Sequence, residues 1–179
     1  KDYSKAPEPG VIRISLFGDS FTHGDDVAFS QTWGRILEEL LRKHGVNAEV
    51  VNFGVRAYGI DQAFLRWEAL GVDYSSDIVI FGFQPENMAR NVNIFRPFFI
   101  PGDSGFPFSK PRFVLSNDSL ELINSPCPSP TEMLAIIDDI FGWKMMQYEH
   151  WCNPADYESH FWNHSKLLCL GQKVLEKFR

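Results

Sequence analysis

Three short apolar runs, each broken off by a glycine-bearing polar loop and separated by stretches of helical periodicity, constrain the fold of this chain more than any other feature. Residues 11–17 read VIRISLF, rich in β-branched side chains and bounded by Gly10 and Gly18; residues 48–54 read AEVVNFG and 76–83 read SDIVIFGF. Runs of this length and composition read as buried strands. Between the first two lies QTWGRILEELLRKHG, where Trp33, Ile36, Leu37, Leu40 and Leu41 recur at helical spacing and Gly45 stands where a helix C-cap belongs. Between the second and third, GIDQAFLRWEALG closes at Gly71 in the same way. Buried strands alternating with helices predict a parallel sheet covered on both faces, an α/β fold of three layers. In such sheets ligands gather at the carboxyl ends of the strands. The loops GDSFTHGDD, GVRAYG and GFQPENMARN are therefore where function is expected.

Beyond Asn91 the pattern changes. The stretch FRPFFIPGDSGFPFSKPRF is too crowded with Pro, Gly and Phe for a regular helix or central strand, and reads as an insertion or lid-like loop. RFVLSNDSLELI (112–123) reads as a hairpin around Ser116, Asn117 and Asp118. Ser129 or Thr131 can cap a following helix whose apolar face is Met133, Ile136, Ile137 and Ile140. The final stretch from Ser159 reads as helical. At 179 residues the chain suits one domain over 1–179, with an insertion at about 92–130.

Composition removes several function classes. A hydrophobic share of 44% with 16 Phe and 5 Trp argues against disorder. The net charge of −6, with no run of Lys or Arg, disfavours nucleic acid as a partner. Cys127, Cys152 and Cys169 lie far apart, so neither a disulfide framework nor a zinc site is indicated. Asp25 and Asp26 beside His23 read as a solvated acidic turn rather than a cation site. No metal and no cofactor are expected. No apolar run is long enough to span a bilayer. The polar, Pro-rich start without an initiator Met reads as a linker left after removal of an upstream signal or anchor, which leaves the compartment open.

The tripeptide Gly-Asp-Ser occurs twice, at 18–20 and 102–104. The first copy follows a buried strand and precedes a helix, so Ser20 falls at the carboxyl edge of the sheet. The second lies in a loop with no strand before it, where Ser104 has ordinary turn chemistry. Taken with the other two strand ends, FGDSFTHGDDV, VVNFGVRAYGIDQ and IVIFGFQPENMARN resemble the ordered blocks of the SGNH/GDSL hydrolase family over the first half of the chain. That resemblance implies a flavodoxin-like α/β/α sheet with Ser20 as nucleophile. It also implies an oxyanion hole made by the N–H groups of Ser20 and Gly54 and the side-chain amide of Asn87. The chemistry fits independently, because fixed N–H donors aimed at a tetrahedral intermediate are worth about 3–4 kcal/mol for one donor. Asp19 is expected to brace the Ser20 loop, and Tyr58 and Arg90 join it as candidate substrate contacts. The family pattern carries Asp directly after the asparagine, whereas Met88 stands here, which leaves open how the Asn87 loop is oriented.

A serine nucleophile needs a base, normally a histidine held by a carboxylate. His23 shares the loop of Ser20 and reads as a rim residue; His44, before Gly45, reads as a helix-end residue. The resemblance implies an Asp-x-x-His pair near the C-terminus, and the nearest approach is Asp156 with His160, one residue longer, or His164. Only three strands are legible where the family fold has about five. The expectation is that the remaining strands, with the catalytic Asp and His, lie beyond Arg179; the alternative is a compact enzyme using His160 or His164. The implied activity is hydrolysis of acyl esters, acetyl above all, on a carbohydrate or other small molecule. A non-catalytic module that binds acylated glycans and an acyltransferase are the competing readings.

Overall fold

The computed structural model describes residues 3–100 and 108–152, and these fall into two compact units. One comprises Lys1–Asn91 with Leu115–Glu121, the other Val92–Val114 and Leu122–Arg179. His160, His164 and Asp156, like Ser104, lie outside the described residues.

In the first unit the chain runs β1 (Ile12–Phe17), α1 (Ser20–His23), α2 (Trp33–Lys43), β2 (Ala48–Asn52), α3 (Ile60–Ala69), β3 (Ile78–Phe81) and α4 (Met88–Asn91). The strands form a parallel sheet in the order β2-β1-β3, as the alternation of apolar runs and helices requires. Ile14 is level with Val50 on one side and Ile78 on the other, and Phe17 with Phe81. Because side chains alternate across a strand, β1 feeds two cores. Ile14 and Leu16, with Val50, pack against Leu37 and Leu41 of α2 on one face. Phe17, with Val51, Phe53 and Ala63, packs against Trp67, Tyr74 and Phe81 on the other, where α3 lies. Phe17 and Phe53 stack with ring centroids 4.8 Å apart, a contact worth about 1 kcal/mol beyond its buried area.

The buried side of α2 differs from its most apolar stripe. Trp33, Ile36 and Leu40 are exposed, whereas Gly34 and Glu38 are buried beside Leu37 and Leu41. Glu38 faces inward because β2 is a sheet edge. Its Oε2 accepts the N–H of Val50 at 2.8 Å, while its Oε1 takes Arg35 at 2.6 Å and Arg42 at 3.0 Å. Arg42 also donates to the carbonyl of Ala48, and the Tyr3 hydroxyl to that of Val50. Side chains thus occupy edge groups that could otherwise template another strand. On the far side of the described sheet, Ile78 and Val79 of β3 are exposed, unlike the buried strand expected from the sequence.

The second unit contains α5 (Arg96–Phe99) and α6 (Pro130–Ile137), and the hairpin of β4 (Arg112–Ser116) and β5 (Ser119–Ile123) spans both units' residues. Its two-residue turn, Asn117 and Asp118, has φ of 49° and 59°, the left-handed pair that Asn and Asp tolerate best. Ser129 caps α6 in a capping box with Glu132, whose carboxyl those bonds hold below its usual range. Glu149 is buried, and its Oε2 gathers the N–H groups of Ile94 and Phe95 and the amide of Asn93 at 2.6–3.0 Å. A carboxylate so supplied with donors locks the start of this unit to its end.

Candidate active site

The chain leaves β1 through Gly18 and Asp19 and turns at once into α1, whose first residue is Ser20. Asp19 is the N-cap. Its Oδ1 accepts the N–H of Phe21 at 3.0 Å, so the short side chain fixes the direction in which Ser20 emerges. Asp19 itself is 2% exposed, and a buried carboxylate is tolerable only when hydrogen-bonded and paired. Its Oδ2 accepts from Nδ2 of Asn87 at 2.8 Å and lies 3.7 Å from Nη1 of Arg90. The orientation of the Asn87 amide follows, since only its nitrogen can face a carboxylate.

Asn87 arrives from the β3 end on a 3-10 turn, Pro85–Asn87, its N–H bonded to the carbonyl of Gln84 at 2.9 Å. One hydrogen of its amide is engaged by Asp19. Among the described residues the other has no partner, and Oδ1 is buried without one. Among the described residues the hydroxyl and N–H of Ser20 have no hydrogen-bond partner either.

The β2 end is organised by a residue that sequence reasoning passed over, Asn52. Its Nδ2 donates to the carbonyl of Thr22 at 2.6 Å and its Oδ1 accepts the N–H of Gly54 at 2.8 Å, pinning the second loop against α1. A polar residue closing an apolar strand, in VVNFG, was the available signal. Gly54 is required by that approach: a Cβ there would stand 2.5 Å from the backbone nitrogen of His23. An oxyanion bound at Gly54 would have to share its N–H with Asn52. Directly after Gly54, Val55 to Tyr58 form a turn closed by Tyr58 N–H to the Val55 carbonyl at 3.3 Å, with Ala57 at φ 65°. The third position of such a turn favours glycine, and an alanine in the left-handed region costs about 1 kcal/mol. The N–H groups of Arg56 and Ala57 have no partner among the described residues.

The remaining expected residues divide. Arg90 donates to the carbonyl of Tyr58 at 2.9 Å, which joins Asp19, Tyr58, Asn87 and Arg90 in one network. His23 lies on the rim, 56% exposed. Its Nδ1 faces the carbonyl of Gly54 at 3.0 Å and so carries the hydrogen, while Nε2 stands 3.6 Å from Asp25. His44 closes α2, its Nδ1 bonded to the carbonyl of Leu40 at 2.8 Å. Among the described residues no group of His, Cys, Asp and Glu is arranged to hold a metal ion, and no helix is long and apolar enough to cross a membrane.

No protein-family model matches the chain, and no curated protein matches it. Among solved structures it matches SGNH-hydrolase esterases over about half its length. A mutant of the esterase AlinE4 aligns at 25% identity and a TM-score of 0.40, covering 48% of this chain and 46% of that one. AlinE4 itself, described as an SGNH-hydrolase family esterase, aligns at 25% identity and 0.40, covering 47% and 46%. TesA aligns at 22% identity and 0.40, covering 44% and 43%. Less than half the length of each of these proteins is thus covered. The class of the fold is α/β, with a parallel sheet β2-β1-β3 flanked by helices.

Proposed function

We propose that this chain carries the nucleophile and part of the oxyanion site of a serine esterase. The observation that supports it best is the Asp19 carboxylate, which holds the Ser20 turn with one oxygen and the Asn87 amide with the other. Folding alone has no need to bury an amide with an unpaired Oδ1 beside a serine with a free hydroxyl. In the reaction Ser20 Oγ attacks the ester carbonyl, the alcohol leaves with a proton from the base, and water releases the acid from the acyl-enzyme. Negative charge on the carbonyl oxygen is met by the Ser20 N–H and the second hydrogen of the Asn87 amide. The second loop adds a donor, either the Gly54 N–H shared with Asn52 or the unpartnered N–H of Ala57 in the adjoining turn. The base is His160 or His164, or a histidine beyond Arg179. The substrate class is an acyl ester, acetyl on a carbohydrate or another small molecule, and no metal or cofactor enters these steps.

The test is labelling with a serine-directed fluorophosphonate and peptide mass mapping, with Ser20→Ala as control. Labelling confined to Ser20 and lost in the control is the expected result, and His160→Ala and His164→Ala then locate the base. A folded chain that takes no label at Ser20 points to a base beyond Arg179 or to a module that binds acylated glycans without turnover; a longer product of the same gene that also stays unlabelled overturns the esterase reading.

A further inference from the structure

The third loop carries Met88, 59% exposed, directly after Asn87, so the residue following the asparagine supplies no hydrogen bond to orient it. The bonds that do so run through Asp19 to Arg90. Arg90 sits on α4, one turn after Asn87, and its Nη1 donates to the Tyr58 carbonyl at 2.9 Å while lying 3.7 Å from Asp19 Oδ2. That same oxygen holds the Asn87 amide at 2.8 Å. One guanidinium therefore touches groups from the loops that follow β1 and β2, and belongs to the loop that follows β3. Its side chain is 19% exposed and that of Asp19 2%, so water screens the pair weakly.

Asp19 is 2% exposed and accepts the Phe21 N–H on one oxygen and the Asn87 amide on the other. A buried carboxylate that does this is tolerable only beside a compensating cation, and Arg90, 3.7 Å from Oδ2, supplies it.

We propose that Arg90 is a positioning residue for the Ser20 site, holding the Asn87 amide in place through Asp19 while the same Nη1 ties the Tyr58 turn to that point. The consequence for reactivity rests on the esterase reading; the geometry does not.

The test uses the full chain and the variants Arg90→Met and Arg90→Lys, at a temperature where circular dichroism shows each folded. One readout is the side-chain amide pair of Asn87 in a proton–nitrogen correlation spectrum, assigned by its loss in Asn87→Ser. The other is the rate of fluorophosphonate labelling at Ser20. Arg90→Met is expected to displace the Asn87 amide signals and to slow labelling by at least about tenfold, in line with the cost of small misplacements at such sites. Arg90→Lys keeps the charge but not the fork and should return the amide signals towards their native position and labelling to within about threefold. Should Arg90→Met fail to fold, Arg90→Gln, which removes the charge and shortens the side chain but keeps a polar end, carries the same expectations. Asn87 amide signals unmoved in the folded Met or Gln variant overturn the proposal whatever Ser20 does. Wild-type protein unlabelled at Ser20, in this chain and in a longer product of the same gene, sinks the esterase reading instead, and the Asn87 amide still decides the role of Arg90.

Discussion

The central strand carries a buried charge near each end, and the two are treated differently. At the amino end Arg13, 1% exposed, makes five side-chain hydrogen bonds: two to Glu49 and one each to the carbonyls of Ser4, Lys5 and Tyr74. All three of its nitrogens are engaged. Just past the carboxyl end Asp19 is equally buried and paired, yet its neighbours keep spare capacity: the Ser20 hydroxyl and N–H, and Oδ1 of Asn87. A network in which every nitrogen of the guanidinium is engaged contributes to stability. One that leaves buried polar atoms unpaired costs stability, and the cost makes sense where a ligand completes the set.

Three substitutions would break or sharpen this contrast. Arg13→Met leaves Glu49 and three carbonyls facing a hydrocarbon, and should lower stability by about 3–5 kcal/mol, as removal of one partner from a buried ion pair generally does. Urea unfolding at neutral pH reads it directly. A loss below about 1 kcal/mol would mean that water serves those groups as well as Arg13 does, and the two ends would no longer differ. Asn87→Ala should act the other way round, slowing fluorophosphonate labelling at Ser20 by about 10²–10³, the range for loss of one oxyanion donor. Its effect on unfolding should stay within about 1–3 kcal/mol. Equal labelling rates in variant and wild type would remove Asn87 from the reaction. Ala57→Gly has the smallest expected effect: relief of the left-handed backbone, partly offset by the freer unfolded chain, should raise stability by about 0.5 kcal/mol. A higher melting midpoint in calorimetry is the expected sign, and a lower one would show that the Ala57 methyl contributes packing worth more than the backbone strain.

The neighbourhood of Ser20, Asp19, Asn87 and Arg90 could be read along the chain because each strand is local and ends in a segment of distinctive composition. These residues follow β1 and β3, and the alternation of β1, α2, β2, α3 and β3 sends both strand ends to one edge of the sheet. What no local pattern carries is which atoms meet. The Gly54 N–H is directed at Asn52, and Arg90 reaches Asp19 and Tyr58, the nearer of them 32 positions away. His160 and His164 lie outside the described residues, so the base is a matter for the labelling test.

The sequence by itself determined the class of fold, because apolar period and glycine-broken strand ends act over a few residues, and local sterics and burial respond to them directly. Tertiary structure alone decided which side of α2 is buried. Counting apolar residues favours the stripe with Trp33, Ile36 and Leu40, but the edge strand presents the unpaired Val50 N–H, and Glu38 turns inward to accept it. An unsatisfied buried amide costs about 1–3 kcal/mol, enough to rotate the helix towards the side of its apolar face that carries Leu37 and Leu41. The same rule governs the site: Asp19, Asn52 and Arg90 acquire their roles from backbone and side-chain groups that only the folded sheet brings within reach.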